Sequence, residues 1–239
     1  MKLAPMPQWL SPHAVATSDS DLWARIRQRY LQYWESNTQL WTGTTFLGVK
    51  VAKLPTDAWV YQELIARVRP DVLVETGSLA GGSALFFASI MDLIGHGQVI
   101  SIDKEAWPCA RLHIFGDAPR PEHPRIQFIT ASSTDPGTVE WVHSICEGKT
   151  ALVVLDSDHR CKHVLEELDA YSPLVSLGSY IVVEDTALNE QTDPGLGEYL
   201  GADEAVAQWL PKHREFAMDL NCERFLITTN PGGYLKRIA

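Results

Sequence analysis

Two short runs hold residue types that can do acid, base or metal chemistry: Asp156-Ser157-Asp158-His159 and Glu184-Asp185. Each follows a short apolar stretch, Ala151 to Leu155 and Tyr180 to Val183, so each reads as the carboxyl end of a β-strand. Three or four carboxylates at neighbouring strand ends repel one another unless a cation or a proton sits between them. Oxygen donors of this kind suit a hard divalent ion such as Mg²⁺, which keeps water positions that a substrate oxygen can take. Asp156, Glu184 and Asp185 are the expected cation ligands. An alcohol or phenol is a poor nucleophile until it loses its proton, and His159, three residues past Asp156, is placed to take it as general base. A lone histidine is more often exposed or a cap; the position beside Asp156 reverses that preference. His163 would share a helix face with His159 and imitate a zinc pair, but no H-E-x-x-H base accompanies it. An iron site built from His159 and carboxylates would instead imply oxidation, and the excess of carboxylate favours Mg²⁺.

A second cluster lies earlier. Asp71 to Glu75 reads as a strand that ends in Glu75-Thr76-Gly77-Ser78-Leu79-Ala80-Gly81-Gly82-Ser83. Glycines there let the backbone approach a ligand, and the helix that follows presents free N–H groups. The run does not match G-x-G-x-x-G, and Glu75 would repel a pyrophosphate. A ligand with an ammonium and a sulfonium is tolerated better, which favours S-adenosylmethionine over a nicotinamide dinucleotide. The expected cofactor residues are Glu75, Gly77 and Ser83 at this turn, and Asp103 after the next strand, for the ribose hydroxyls. Ser132 and Ser133 are expected to flank the adenine, and Asp156 to stand where cofactor and cation meet. A glycine turn or a strand-end Asp is often merely structural; their occurrence at successive strand ends is what points to a ligand.

The elements that must position these residues alternate. Strands are expected at Gln98 to Ile102, Ile126 to Thr130, Ala151 to Leu155 and Tyr180 to Val183, with helices at Thr56 to Val68, Thr138 to Cys146 and Cys161 to Tyr171 among others. Apolar strands separated by helices imply a buried parallel sheet, hence a doubly wound α/β fold. Before it, a helix of about four turns should start near Asp21, capped by Asp19 or Ser20, after a loosely ordered arm. Trp41 to Leu54 reads as short extended pieces. Ala187 to Gly201 reads as an acidic lid, Asp203 to Leu210 as a helix, and Phe225 to Thr229 as a closing strand before a turn at Pro231-Gly232-Gly233. The division expected is 1–37 as N-terminal arm and helix, and 38–239 as one Rossmann-like domain, a length that a single core can serve.

Composition narrows the function classes. The net charge of −10 and the scattered Lys and Arg argue against nucleic acid. The longest apolar runs are far shorter than the roughly 20 residues that span a bilayer. Cys109, Cys146, Cys161 and Cys222 form no C-x-x-C pair, and no signal-peptide pattern opens the chain, so a reducing cytoplasm is expected. The eight tryptophans default to core or interface, with Trp41, Trp59 and Trp107 as candidates for an acceptor pocket.

The chain resembles the cephalosporin hydroxylase and rhamnosyl O-methyltransferase family. The matching stretches are Pro55-Thr56-Asp57-Ala58-Trp59-Val60-Tyr61-Gln62-Glu63, Glu75-Thr76-Gly77 with Gly81-Gly82-Ser83, Ile102-Asp103, Leu155-Asp156-Ser157-Asp158-His159 and Val183-Glu184-Asp185-Thr186, within about residues 38 to 235. The resemblance implies a Rossmann-like methyltransferase fold and S-adenosylmethionine as donor. It implies Mg²⁺ at positions matching Asp156, Glu184 and Asp185, a base matching His159, and a homo-oligomer. It also implies tailoring of a sugar or natural product, including antibiotic biosynthesis, with a small hydroxyl compound as partner. Two other classes stay open at this point: an oxidoreductase using a nicotinamide or iron, and a noncatalytic binding protein of the same fold.

Overall fold

A computed structural model describes residues 20–105, 120–187 and 201–239. The N-terminal arm, Asp19, Cys109, Trp107 and nearly all of the expected acidic lid lie outside the described residues. The long helix α1 runs Ser20–Ser36, and a short α2 follows at Thr38–Gly43, whose last three residues fall where extended chain was expected. The extended pieces come later, as a hairpin of β1, Thr45–Phe46, and β2, Val49–Lys50. Leu47 and Gly48 between them both take positive φ, the geometry a two-residue hairpin loop needs.

The main body alternates as the apolar pattern implies. In order come α3 (Pro55–Val68), β3 (Val72–Thr76), α4 (Gly82–Ile94), β4 (Gln98–Asp103) and β5 (Ile126–Thr130). Then follow α5 (Pro136–Cys146), β6 (Ala151–Leu155), α6 (Cys161–Tyr171), β7 (Tyr180–Val183), α7 (Ala202–Trp209), β8 (Phe216–Met218) and β9 (Tyr234–Arg237). Pro55 opens α3 with its preset φ; Arg69 closes it in the left-handed region, and Pro70 prevents continuation. The seven strands order as β5-β4-β3-β6-β7-β9-β8, with β9 antiparallel to β7 and β8 and the other pairs parallel. This is the mostly parallel, doubly wound Rossmann-like sheet.

Phe225 to Thr229 is not the closing strand. Leu226 sits at φ 67, and the backbone N–H of Thr229 donates to the Asp57 carboxylate at 3.0 Å, so the segment cannot ladder with a neighbour. β9, after the Pro231 to Gly233 turn, takes that place.

Alternate strand residues face opposite layers. Val72, Val74, Val153, Ile181 and Val183 pack with α5, α6 and α7, while Leu73, Leu152, Val154, Tyr180 and Val182 pack with α3 and α4. The same parity, carried to the strand ends, decides where the acidic side chains go.

Candidate active site

Register places the acidic residues level with one another. Thr76 pairs with Leu155, and Leu155 with Val183, so Asp156 and Glu184 emerge side by side from β6 and β7. Glu75 shares the parity of Leu73, Asp156 that of Val154, and Glu184 that of Val182, so these side chains leave the sheet on the α3 and α4 side. There they meet Lys53, a buried residue absent from the sequence expectations. Its Nζ lies 2.8 Å from Asp156 Oδ2 and 2.6 Å from Glu184 Oε1. Burial acts to lower the Lys53 pKa, and the charges of Asp156, Glu184 and Glu75 outweigh it, leaving the ammonium more basic than usual. Glu184 Oε1 also accepts the Tyr61 hydroxyl.

Asp185 meets His159 instead of Lys53. It sits at φ 58, a strained value for a non-glycine residue, and its N–H donates to Asn230 Oδ1 at 2.9 Å. Its Oδ2 lies 3.3 Å from His159 Nε2, and Asp156 Oδ1 lies 4.0 Å from the same nitrogen. One donor atom each from Asp156, His159 and Asp185 falls within 4.8 Å of the others, a spacing a cation can occupy. Among the described residues this is the group with that spacing; the Glu184 carboxylate, expected in it, is engaged by Lys53 and Tyr61 instead. His163 is outside it too. Its Nε2 lies 3.0 Å from Ser157 Oγ and 3.4 Å from Ser133 Oγ.

All of this borders a cavity of about 570 Å³ at the carboxyl edge of the sheet, where the strand order reverses between β3 and β6. Gly77, Asp103, Ser132, Ser133, Asp156, His159 and Asp185 line it, together with Leu79, Ile102 and Lys104. Asp103 is held in place by accepting the N–H groups of Leu79 and Glu105. Gly77 has a reason besides a ligand: a Cβ there would sit 1.9 Å from the Asp156 carbonyl oxygen, so glycine lets two strand ends touch. Glu75 and Ser83 are buried and do not line the cavity. Glu75 accepts the Ser101 hydroxyl through Oε2, while its buried Oε1 has no partner. Trp34, Glu35 and Trp41 close the opposite wall. Trp59 is 59% exposed and away from it.

Comparison with known proteins bears on this arrangement. The model of the Rhamnosyl O-methyltransferase/CmcI family matches residues 38–238. The chain belongs to this family. Its activity class is that of an O-methyltransferase, in agreement with named relatives. A Rhamnosyl O-methyltransferase of Mycobacterium bovis is 34% identical over 219 residues, 89% of this chain and 85% of its own length. One from Mycobacterium leprae is 38% identical over 171 residues, 69% of each chain. A solved structure described as CmcI with Mg and SAM superposes with a TM-score of 0.61 at 22% identity, covering 82% of this chain and 77% of that one, which shows the shared fold. No helix among the described residues is long and apolar enough to cross a membrane.

Proposed function

We propose that this O-methyltransferase moves the methyl group of S-adenosylmethionine to a hydroxyl of a sugar or another natural product, with a divalent cation such as Mg²⁺ at the acidic edge. One observation supports it above the rest: Asp156, His159 and Asp185 converge on the same cavity whose other end holds Asp103, Ser132 and Ser133. The residues fit both groups. The carboxylates of Asp156 and Asp185 suit a hard divalent cation and leave the His159 imidazole beside them to act as base, and one imidazole is not the two-imidazole, one-carboxylate set of nonhaem iron oxygenases. For the donor, Asp103, Ser132 and Ser133 offer a carboxylate and two hydroxyl side chains along the cavity, groups that a nucleoside's hydroxyls and ring nitrogens would satisfy. When bound, S-adenosylmethionine supplies the methyl as a sulfonium, and the cation makes an acceptor hydroxyl more acidic.

The chain's own groups do the rest. Asp103 receives the ribose hydroxyls, and Ser132 with Ser133 borders the base. Asp185 lies beside the His159 ring, and the His159 imidazole takes the acceptor proton. Trp34, Glu35 and Trp41 form the wall against which the acceptor lies, an aromatic and carboxylate surface suited to a sugar ring. Similarity to rhamnosyl enzymes makes a deoxyhexose glycoside the first acceptor to try. The test is mass spectrometry of a reaction containing S-adenosylmethionine, Mg²⁺ and a panel of glycosides and phenols. The expected result is an O-methylated product that disappears with EDTA; a product formed equally in EDTA would overturn the cation's role, and binding of NAD in place of S-adenosylhomocysteine would overturn the donor.

A further inference from the structure

We infer that Lys53 is a built-in cation of the acidic edge, a positioning residue whose ammonium fixes Asp156 and Glu184 and limits how tightly the neighbouring site holds a divalent ion. The inference rests on the reading that this edge binds such an ion, and it concerns a residue whose place in the fold fixes its partners. Lys53 lies two residues before the start of α3 and is buried. Its Nζ bridges Asp156 Oδ2 and Glu184 Oε1 at 2.8 and 2.6 Å, with the Tyr61 ring 5.6 Å away. Sheet parity sends Glu75, Asp156 and Glu184 to this one side, and unpaired buried carboxylates are costly. An ammonium at their centre settles that charge without any bound ion.

Two consequences follow for the site next door. Asp156 is shared: Oδ2 belongs to Lys53, and Oδ1 faces His159 and Asp185. Glu184 Oε1 is taken by Lys53 and Tyr61, so at most its Oε2 is left for an ion. A positive charge so close also opposes an incoming dication. Replacing Lys53 with an uncharged residue of similar length removes the repulsion and releases Asp156 Oδ2 and one of the two partners of Glu184 Oε1, and these changes act in the same direction.

The experiment uses Mn²⁺ as the probe, followed by electron paramagnetic resonance and by thermal unfolding, in the full chain freed of metal. Lys53→Met is expected to bind Mn²⁺ at least about tenfold more tightly than wild type, and its unfolding temperature should depend more steeply on Mn²⁺. Lys53→Met/Asp185→Asn should lose that gain, which locates the ion. Should Lys53→Met fold only when Mn²⁺ is supplied, while wild type folds without it, the same exchange of one cation for another is demonstrated. Equal or weaker Mn²⁺ binding by a folded Lys53→Met, beside wild type that does bind, overturns the role of Lys53 alone. So does a Lys53→Met chain that stays unfolded with and without Mn²⁺. If Mn²⁺ neither binds nor stabilises either protein, the cation reading itself falls.

Discussion

His159, half-buried on the cavity wall, and Glu75, fully buried, are two ionisable groups of one sheet edge with different tasks. For His159, burial lowers the pKa and the carboxylates of Asp185, Asp156 and Glu184 more than restore it, so the ring holds a proton more strongly than a free imidazole. A general base contributes about 10²–10⁴-fold to a rate. His159→Gln should therefore lower kcat by that order and leave S-adenosylhomocysteine affinity, measured by calorimetry, as it was; a variant within a few-fold of wild-type kcat would rule His159 out as the base. Glu75 is raised by burial to about 7 from 4.5. Between those pH values the folded chain keeps a proton that the unfolded chain has lost. The stability tied to Glu75 is thus complete below about pH 4.5 and is lost as pH rises to about 7, by roughly 3 kcal/mol. In the ligand-free protein, Glu75→Gln should remove this component of the slope in urea unfolding across that window, and equal slopes for the two proteins would contradict it.

At the scale of elements, the site exists because loops at the ends of β3, β6 and β7 are bolted to one another. Gly77 touches the Asp156 carbonyl at φ 87, so Gly77→Ala combines a clash with backbone strain. A loss of about 2–4 kcal/mol is expected in chemical denaturation, together with lower activity. Asn230 is fully buried and accepts the Asp185 N–H, and Asp57 anchors the adjoining Thr229 through its N–H and hydroxyl. Asn230→Ala leaves that buried N–H without its acceptor, which costs about 1–3 kcal/mol. Because Asp185 loses its aim, kcat should fall while KM for S-adenosylmethionine holds; a proportional change in both would mean a general loss of fold. Much of this framework was legible: β4, β5, β6 and β7 were located to within a residue, β6 and β7 because buried parallel strands read as apolar runs, and β4 and the half-exposed β5 because β-branched and aromatic residues still dominate them. The different partners of Glu184 and Asp185 were not legible, because β7 ends at Val183 and the left-handed turn at Asp185 breaks the alternation of the strand. Lys53 was not legible, because its partners lie more than a hundred positions away and only the folded sheet brings them together. The strand expected at Phe225 to Thr229 failed for a related reason: its β-forming residues are outweighed by the long-range bond to Asp57.

For the molecule as a whole, the cavity joins parts of different origin. Its floor comes from the sheet edge, and its far wall comes from α1 and α2, which dock on the body through Leu31, Trp34 and Leu54. The family match begins at residue 38, so Trp41 falls within it while Trp34 and Glu35 fall before it. The sheet edge of the cavity therefore lies within the family match, whereas part of its far wall comes from α1, before residue 38. Trp34 is only 6% exposed and holds the helix in place, so its removal would confound fold with recognition. Trp41 is partly exposed and separates the two. Loss of an aromatic stacking face costs about 0.5–1.5 kcal/mol beyond lost contact area, which corresponds to several-fold in acceptor KM and more with the area included. Trp41→Ala should raise acceptor KM about tenfold and leave the calorimetric affinity for S-adenosylhomocysteine unchanged. If both affinities fall together, α2 serves the donor site or the fold and the acceptor lies elsewhere.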